Sequence, residues 1–292
     1  MEYARGAVRM ARPFVLLAGV LAYLVGLAYA WFRVGSIDAI AAAYGLLVLM
    51  TAIMMGHYAD EYADLDTDSI TRRTWFSGGS GVLPEGRLPP GFAFHMALTM
   101  LVLTLMLAGV GLIWGLFALD YIVLLALSLF LGWFYSMPPL RLERRGLGEL
   151  DNAFLGGFSM VLAGYLPQAG NVDLDSLLFC LPMFLVVLIN LIPVHWSDRD
   201  ADRAVGKMTL VVRLGDRSTK LYLLLVGSLY AAAVLLWPNV IPTEAMVLMV
   251  LTLPLALWSY LRFKRRGDEW TGSMLMGAFF LATITGLSLA SL

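Results

Sequence analysis

Long apolar runs broken by short charged stretches are the dominant pattern along the chain. A membrane helix needs about 20 mainly apolar residues. Read with that ruler, the sequence predicts nine spans, at roughly 14–33, 39–59, 91–114, 119–137, 152–169, 176–196, 219–237, 243–261 and 271–291. The third and fourth are separated only by a short turn at Phe117–Asp120. The first follows Arg5, Arg9 and Arg12, as in a secretory signal, but its apolar run is too long for a cleaved segment, so it is expected to remain as an anchor. The expected fold is all-α: a polytopic membrane protein of about nine helices, forming one integral membrane domain over residues 1–292.

Composition agrees. Apolar residues make up 60% of the chain and charged residues 14%, against about 45–50% and about 25% in soluble proteins. A soluble chain of 292 residues needs more surface charge than this. Cys180 stands alone, so no disulfide forms within the chain, and the three histidines show no metal-binding spacing. Alternating the spans puts every basic residue except Arg33 on one side, together with all acidic residues other than Asp38, Asp120, Asp173, Asp175 and Glu244. The positive-inside rule makes that side cytoplasmic, with the N-terminus inside and the C-terminus outside. The chemistry is therefore expected at the cytoplasmic face.

Two acidic clusters lie at that face. The second span runs into His57-Tyr-Ala-Asp60-Glu-Tyr-Ala-Asp64-Leu-Asp66-Thr-Asp68, and the sixth ends in His195-Trp-Ser-Asp198-Arg-Asp200-Ala-Asp202. Asp60, Asp64 and Asp68 form one stripe on a continuing helix, as do Asp198 and Asp202. Like charges at this spacing repel, and a hard divalent cation offsets the repulsion; oxygen-only ligands favour Mg²⁺. Arg72 and Arg73 follow the first cluster, and Arg203, Lys207 and Arg213 the second. Carboxylates for a cation beside guanidinium and ammonium groups describe a site for a phosphorylated ligand. Gly78-Gly79-Ser-Gly81 is either a phosphate-binding loop or a lid.

These two motifs resemble those of the UbiA superfamily of intramembrane prenyltransferases. Its NDxxDxxxD motif corresponds to Asp60-Glu61-x-x-Asp64-x-x-x-Asp68. Its DxxxD motif and Gly-Lys tail correspond to Asp198-x-x-x-Asp202 and Gly206-Lys207-Met-Thr209-Leu. Arg12-Pro13, Phe76-Ser-Gly-Gly-Ser-Gly-Val-Leu, Tyr135-Ser-Met-Pro-Pro-Leu-Arg141 and Gly146-Leu-Gly-Glu149 are similar to the MenA-like branch, which prenylates 1,4-dihydroxy-2-naphthoate in menaquinone synthesis. Gly164-Tyr-Leu-Pro-Gln168-Ala-Gly170 adds to the likeness, while the last three spans agree only in number.

The resemblance implies a helix bundle around a central cavity, with an isoprenyl diphosphate as donor and an aromatic acceptor. Mg²⁺ would be held by Asp60, Asp64, Asp68, Asp198 and Asp202, with Asp64, Asp68, Asp198 and Asp202 central to catalysis. Arg72, Arg73, Lys207 and Arg141 would bind diphosphate, and Tyr62, Tyr135 and His195 would face the acceptor or shield an allylic cation. The isoprenoid tail would lie in an apolar groove in contact with membrane lipid; no nucleic-acid partner is expected. Gly156, Gly157 and Gly164 serve either that groove or close helix packing, and Asn190 either an interhelical hydrogen bond or substrate.

The chain departs from the family pattern at several positions. Asp60 replaces Asn, Glu61 replaces the following Asp, His195 stands in place of Asn, and Pro139 replaces the Lys that other branches carry. The alternatives are a UbiA-type enzyme with another acceptor (a glycerol phosphate lipid or another phenol), a terpene cyclase, or a membrane carrier. Carboxylates gathered at one face rather than at the midplane count against the carrier.

Overall fold

The computed structural model describes residues 2–71, 73–74 and 78–292. A short amphipathic helix, α1 (Glu2–Met10), precedes α2 (Pro13–Val34). Between them Arg12 adopts a left-handed backbone, φ 49°, and Pro13 opens α2, where its missing N–H leaves no helical bond unmade. There follow α3 (Ala39–Ala63), the single turn α4 (Leu65–Asp68), α5 (Pro90–Ile113) and α6 (Leu119–Phe134). The next helical stretch has three parts: α7 (Gly148–Phe154), a π-helical turn (Leu155–Ser159) and α8 (Met160–Ala169). Then come α9 (Leu174–Ala204), α10 (Leu210–Leu214), α11 (Ser218–Leu235), α12 (Thr243–Val250), α13 (Leu253–Arg266) and α14 (Trp270–Ala290), with no strand among the described residues.

Among these, seven helical stretches are long and apolar enough to cross a membrane: Pro13–Val34, Ala39–Ala63, Pro90–Ile113, Leu174–Ala204, Leu210–Leu235, Thr243–Arg266 and Trp270–Ala290. The protein is a multi-pass membrane protein. Two of the nine expected spans are not among them: Leu119–Phe134 has only 16 residues, and the π turn divides the expected 152–169 span. Conversely, α9 runs to Ala204, past the expected end at 196. A hydropathy ruler stops at the first charges, whereas the backbone helix continues until it approaches Gly206, φ 74°.

Small residues set the tightest helix contacts. A Cβ on Gly26 of α2 would strike the Val161 carbonyl of α8, and one on Gly164 would strike the Tyr23 carbonyl of α2. Gly157 meets the Phe184 backbone of α9 in the same way, whereas Gly156 faces the Val187 side chain. Gly157 and Gly164 therefore serve close packing, and Gly156 also lines the central cavity. At the end away from the acidic motifs, Arg33 bonds Asp173 (3.2 Å) and Asp175 (2.7 Å), neutralising the lone basic residue there.

These contacts yield a packing prediction. Gly26→Val should destabilise the protein by about 1–3 kcal/mol through overpacking. Gly227→Ala, where a Cβ meets nothing within 4 Å, should be neutral or slightly stabilising. Thermal unfolding in detergent measures both; equal midpoints would refute the α2–α8 contact.

Candidate active site

A cavity of about 620 Å³ runs between α2, α3, α6, the π turn, α9 and α14. Along α6 its lining extends from Tyr135 to Tyr121, about 21 Å at 1.5 Å per residue. One end carries Asp60, Asp64, Asp68, Asp198, Asp202, Arg12 and Lys207; the remainder is mainly apolar, with Leu49, Ile53, Leu124, Leu125 and Phe280 among its walls. Leu17 of α2 and Met274 of α14 line the cavity and keep about half of their surface accessible.

The first acidic motif is not one continuous helix. The helix pauses at Asp64, which caps α3 and leads into α4, but Asp64 N–H still bonds the Asp60 carbonyl (2.9 Å) and Asp68 N–H the Asp64 carbonyl (2.8 Å). The four-residue spacing therefore survives the break, and all three aspartates face the cavity. From the other motif, the chain leaves α9 and turns at Gly206 to present Lys207. Its Nζ lies 2.5 Å from Asp64 Oδ2 and 2.5 Å from Glu143 Oε2, so one ammonium joins both motifs to the 3₁₀ turn Leu142–Arg145.

Electrostatics follow from this burial. Burial alone would lower Lys207, but Asp64 and Glu143 outweigh it and hold the ammonium charged well above its ordinary range. Burial would raise Asp64, but Lys207 keeps it below the usual carboxylate value. Glu143 goes the other way: burial, with Asp64 and Asp60 adding to it against Lys207, pushes it well above the usual carboxylate range. Burial likewise pushes Asp68 up to about 8, against the pull of Arg12.

Further contacts hold the acidic end in place. Arg12 bonds Asp60 (2.9 Å) and Glu61 (2.8 Å). Glu61, fully buried, also accepts Ser80 N–H (2.7 Å) and Ser80 Oγ–H (2.5 Å). The glycine loop is thereby tied down over the first motif: Gly78 and Gly79 line the cavity, and a Cβ on Gly79 would strike the Asp68 carboxylate. His195 Nδ1–H donates to Glu149 Oε1 (3.1 Å), which also accepts Leu210 N–H (2.8 Å) from the start of α10. His57 Nδ1–H donates to the Ala11 carbonyl (2.8 Å), the structural bond open to such a residue.

Of the residues singled out from sequence, Asp60, Asp64, Asp68, Asp198, Asp202, Lys207, Tyr135 and His195 line one cavity. Three others do not reach it. Arg73 pairs with Glu85 (2.6 Å), Arg141 is exposed on a left-handed backbone (φ 44°), and Tyr62 packs on Phe94 at the surface. Arg72 lies outside the described residues. Tyr58 spends its hydroxyl on the Ala7 carbonyl, and Arg213 its guanidinium on the Met208 and Arg145 carbonyls. Sequence reasoning missed Glu143, which sits in no recognisable spacing. It also passed over Arg12 and Glu61 as site residues, although Arg12-Pro13 was visible as a motif.

The donor set suits a hard cation. One carboxylate oxygen from each of Asp60, Asp64 and Glu143 lies within 4.8 Å of the others, and Asp64 Oδ1 is buried without a hydrogen-bond partner. Oxygen donors of this kind bind Mg²⁺ or Ca²⁺ rather than soft metals.

Residues 13–284 match the UbiA prenyltransferase family. The chain is 30% identical over 186 residues to the chloroplastic 2-carboxy-1,4-naphthoquinone phytyltransferase of Arabidopsis thaliana, covering 59% of this chain and 47% of that one, about half its length. It is 28% identical over 211 residues to the protoheme IX farnesyltransferase of Pyrobaculum arsenaticum, covering 71% and 69% of the two chains. Among solved structures, a UbiA homolog from Archaeoglobus fulgidus bound to DMAPP and Mg²⁺ shares the fold with a TM-score of 0.74 at 17% identity, over 97% of this chain and 99% of that one.

Removing the cation that joins the motifs should be costly. Lys207→Met leaves Asp64 buried without its counter-charge and should destabilise the protein by about 3–5 kcal/mol. Thermal unfolding of the metal-free variant in detergent checks this; an unchanged midpoint would remove the Lys207 bridge.

Proposed function

The chain belongs to the UbiA prenyltransferase family and is a prenyltransferase, and from that membership we propose that it transfers the isoprenyl group of an allylic diphosphate to an aromatic acceptor, 1,4-dihydroxy-2-naphthoate, in a Mg²⁺-dependent reaction that releases pyrophosphate. The observation that carries this reading is the division of the cavity. Aspartates outnumber cations at one end, and a mainly apolar channel leads away from it. A diphosphate is repelled from such an end unless divalent cations accompany it, and an isoprenoid is the tail that suits the rest. Basic residues gather at the same end, so we place it on the cytoplasmic side.

Asp60, Asp64, Asp68, Asp198 and Asp202 would hold the metal, which supplies the positive charge that stabilises pyrophosphate as a leaving group. Lys207 and Arg12 donate to the diphosphate oxygens from the same end. The allylic C–O bond breaks with its electron pair departing on pyrophosphate. The allylic carbon then bonds to a ring carbon of the acceptor, which gives up a proton or, at the carboxyl-bearing position, CO₂. Tyr135 shields the developing allylic charge through its ring face. His195 is oriented by Glu149 through Nδ1, leaving Nε2 to receive a proton from the acceptor. Similarity to the naphthoquinone phytyltransferase supports this acceptor. The second reading keeps the donor and changes the acceptor, as the similarity to a haem-modifying farnesyltransferase suggests.

Purified protein should release pyrophosphate from an isoprenyl diphosphate only with Mg²⁺, EDTA should stop the reaction, and 1,4-dihydroxy-2-naphthoate should appear as a prenylated product by mass. Asp64→Ala and Asp202→Ala should each lower the rate about 100-fold or more while the protein remains folded in the membrane. Full activity in either variant would sink the two-motif site.

Asp68 adds a pH dependence. Its proton is held up to about 8, and a cation binds only the ionised form. The Mg²⁺ concentration needed for half-maximal rate should therefore fall as pH rises from 6 toward about 8, and Asp68→Asn should flatten that trend.

A further inference from the structure

Asn190 lies deep in α9, on the cavity wall, about 12 Å below Asp198 at 1.5 Å per residue. Its Oδ1 accepts Ser273 Oγ–H from α14 at 2.8 Å. The contact exists because Gly272 lets α14 come in close: a Cβ there would lie 2.9 Å from Pro193 Cγ and 3.0 Å from Asn190 Cα. Ser273 lines the same cavity. With Oδ1 engaged, the amide nitrogen is the end of Asn190 left for the cavity, and among the described residues it has no protein partner. Donors without partners are costly at membrane depth, so a ligand is expected to use them.

The proposed substrates offer few candidates. An isoprenoid tail carries no hydrogen-bond acceptor, and the diphosphate belongs at the aspartate end. The aromatic acceptor remains. Its alkylated carbon must sit next to the diphosphate, so an oxygen on the opposite side of the ring points down α9, past His195 and Val194, toward Asn190. We infer that Asn190, oriented by Ser273, is a specificity-determining residue that hydrogen-bonds the acceptor oxygen farthest from the alkylated carbon, and thereby selects aromatic acceptors oxygenated on both sides of the ring. This inference rests on the prenyl-transfer reading above and deepens it.

The test sets two ligands side by side in wild type, Asn190→Leu and Ser273→Ala. The diol 1,4-dihydroxy-2-naphthoate is followed through its KM as substrate. With alkylation at the carboxyl-bearing carbon the far oxygen is the 4-hydroxyl, and the analogue 1-hydroxy-2-naphthoate, which lacks it, is followed through its inhibition constant. Wild type should bind the diol about tenfold more tightly than the mono-hydroxy analogue, the worth of one well-formed hydrogen bond. Asn190→Leu should raise the diol KM about tenfold and leave the analogue's constant unchanged, so that the preference disappears. Ser273→Ala, which removes only a hydroxyl, should move the diol KM in the same direction by less. The KM for the isoprenyl diphosphate should stay constant throughout.

The inference fails if both variants keep the diol preference. It also fails if donor and acceptor constants rise together, as a purely structural role would make them. If wild type prenylates the diol yet the Asn190 variant matches it, only this inference falls. If wild type does not prenylate the diol at all, the proposed acceptor falls and this inference with it.

Discussion

One ammonium group organises the acidic end of this protein. Lys207 reaches Asp64 from the first motif and Glu143 from the 3₁₀ turn, while its own segment leads straight from the second motif. Without that bridge Asp64 would lie buried beside other carboxylates with no counter-charge, in a medium that screens them poorly. The bridge also shapes the electrostatics: Asp64 and Glu143 hold Lys207 charged, and Lys207 keeps Asp64 below the usual carboxylate range. An end that is stable before a ligand arrives still has negative charge to offer a divalent cation.

Two outer networks support the bridge, and they account for three of the four places where this chain departs from its family pattern. Asp60, where the family carries Asn, is paired by Arg12; Glu61 is paired by the same guanidinium and accepts hydrogen bonds from Ser80. The strained left-handed backbone at Arg12 is thus held by two carboxylates, in keeping with strain gathering at functional sites. His195, also in place of Asn, is matched by Glu149, which at the same time caps the first N–H groups of α10. In each case an added polar or charged group is buried together with the partner it needs.

The apolar part of the cavity follows from packing. Gly26, Gly157 and Gly164 draw α2, α8 and α9 together on one side. The π turn, a wider coil than an α-helix, then puts Leu155, Gly156 and Ser159 on the cavity wall rather than into the contact. Tight packing behind and a widened turn in front leave space between helices that would otherwise close.

The primary structure by itself determined the helical class, the membrane setting and the aspartates that line the cavity, because apolar run length and four-residue spacing are local properties that a helix converts directly into position. Asp60, Asp64, Asp68, Asp198 and Asp202 were legible for that reason, and their arrangement survived even where the helix breaks at Asp64. The partners were a different matter. Glu143, Glu61 and Arg12 enter the site, and Arg73, Arg141 and Tyr62 turn away from it, through contacts between segments far apart in the chain. Only the tertiary structure decided which cations face the cavity, that a π turn separates α7 from α8, and that Ser273 meets Asn190. Each depends on how closely two helices approach, and that distance is set by side chains on both of them at once.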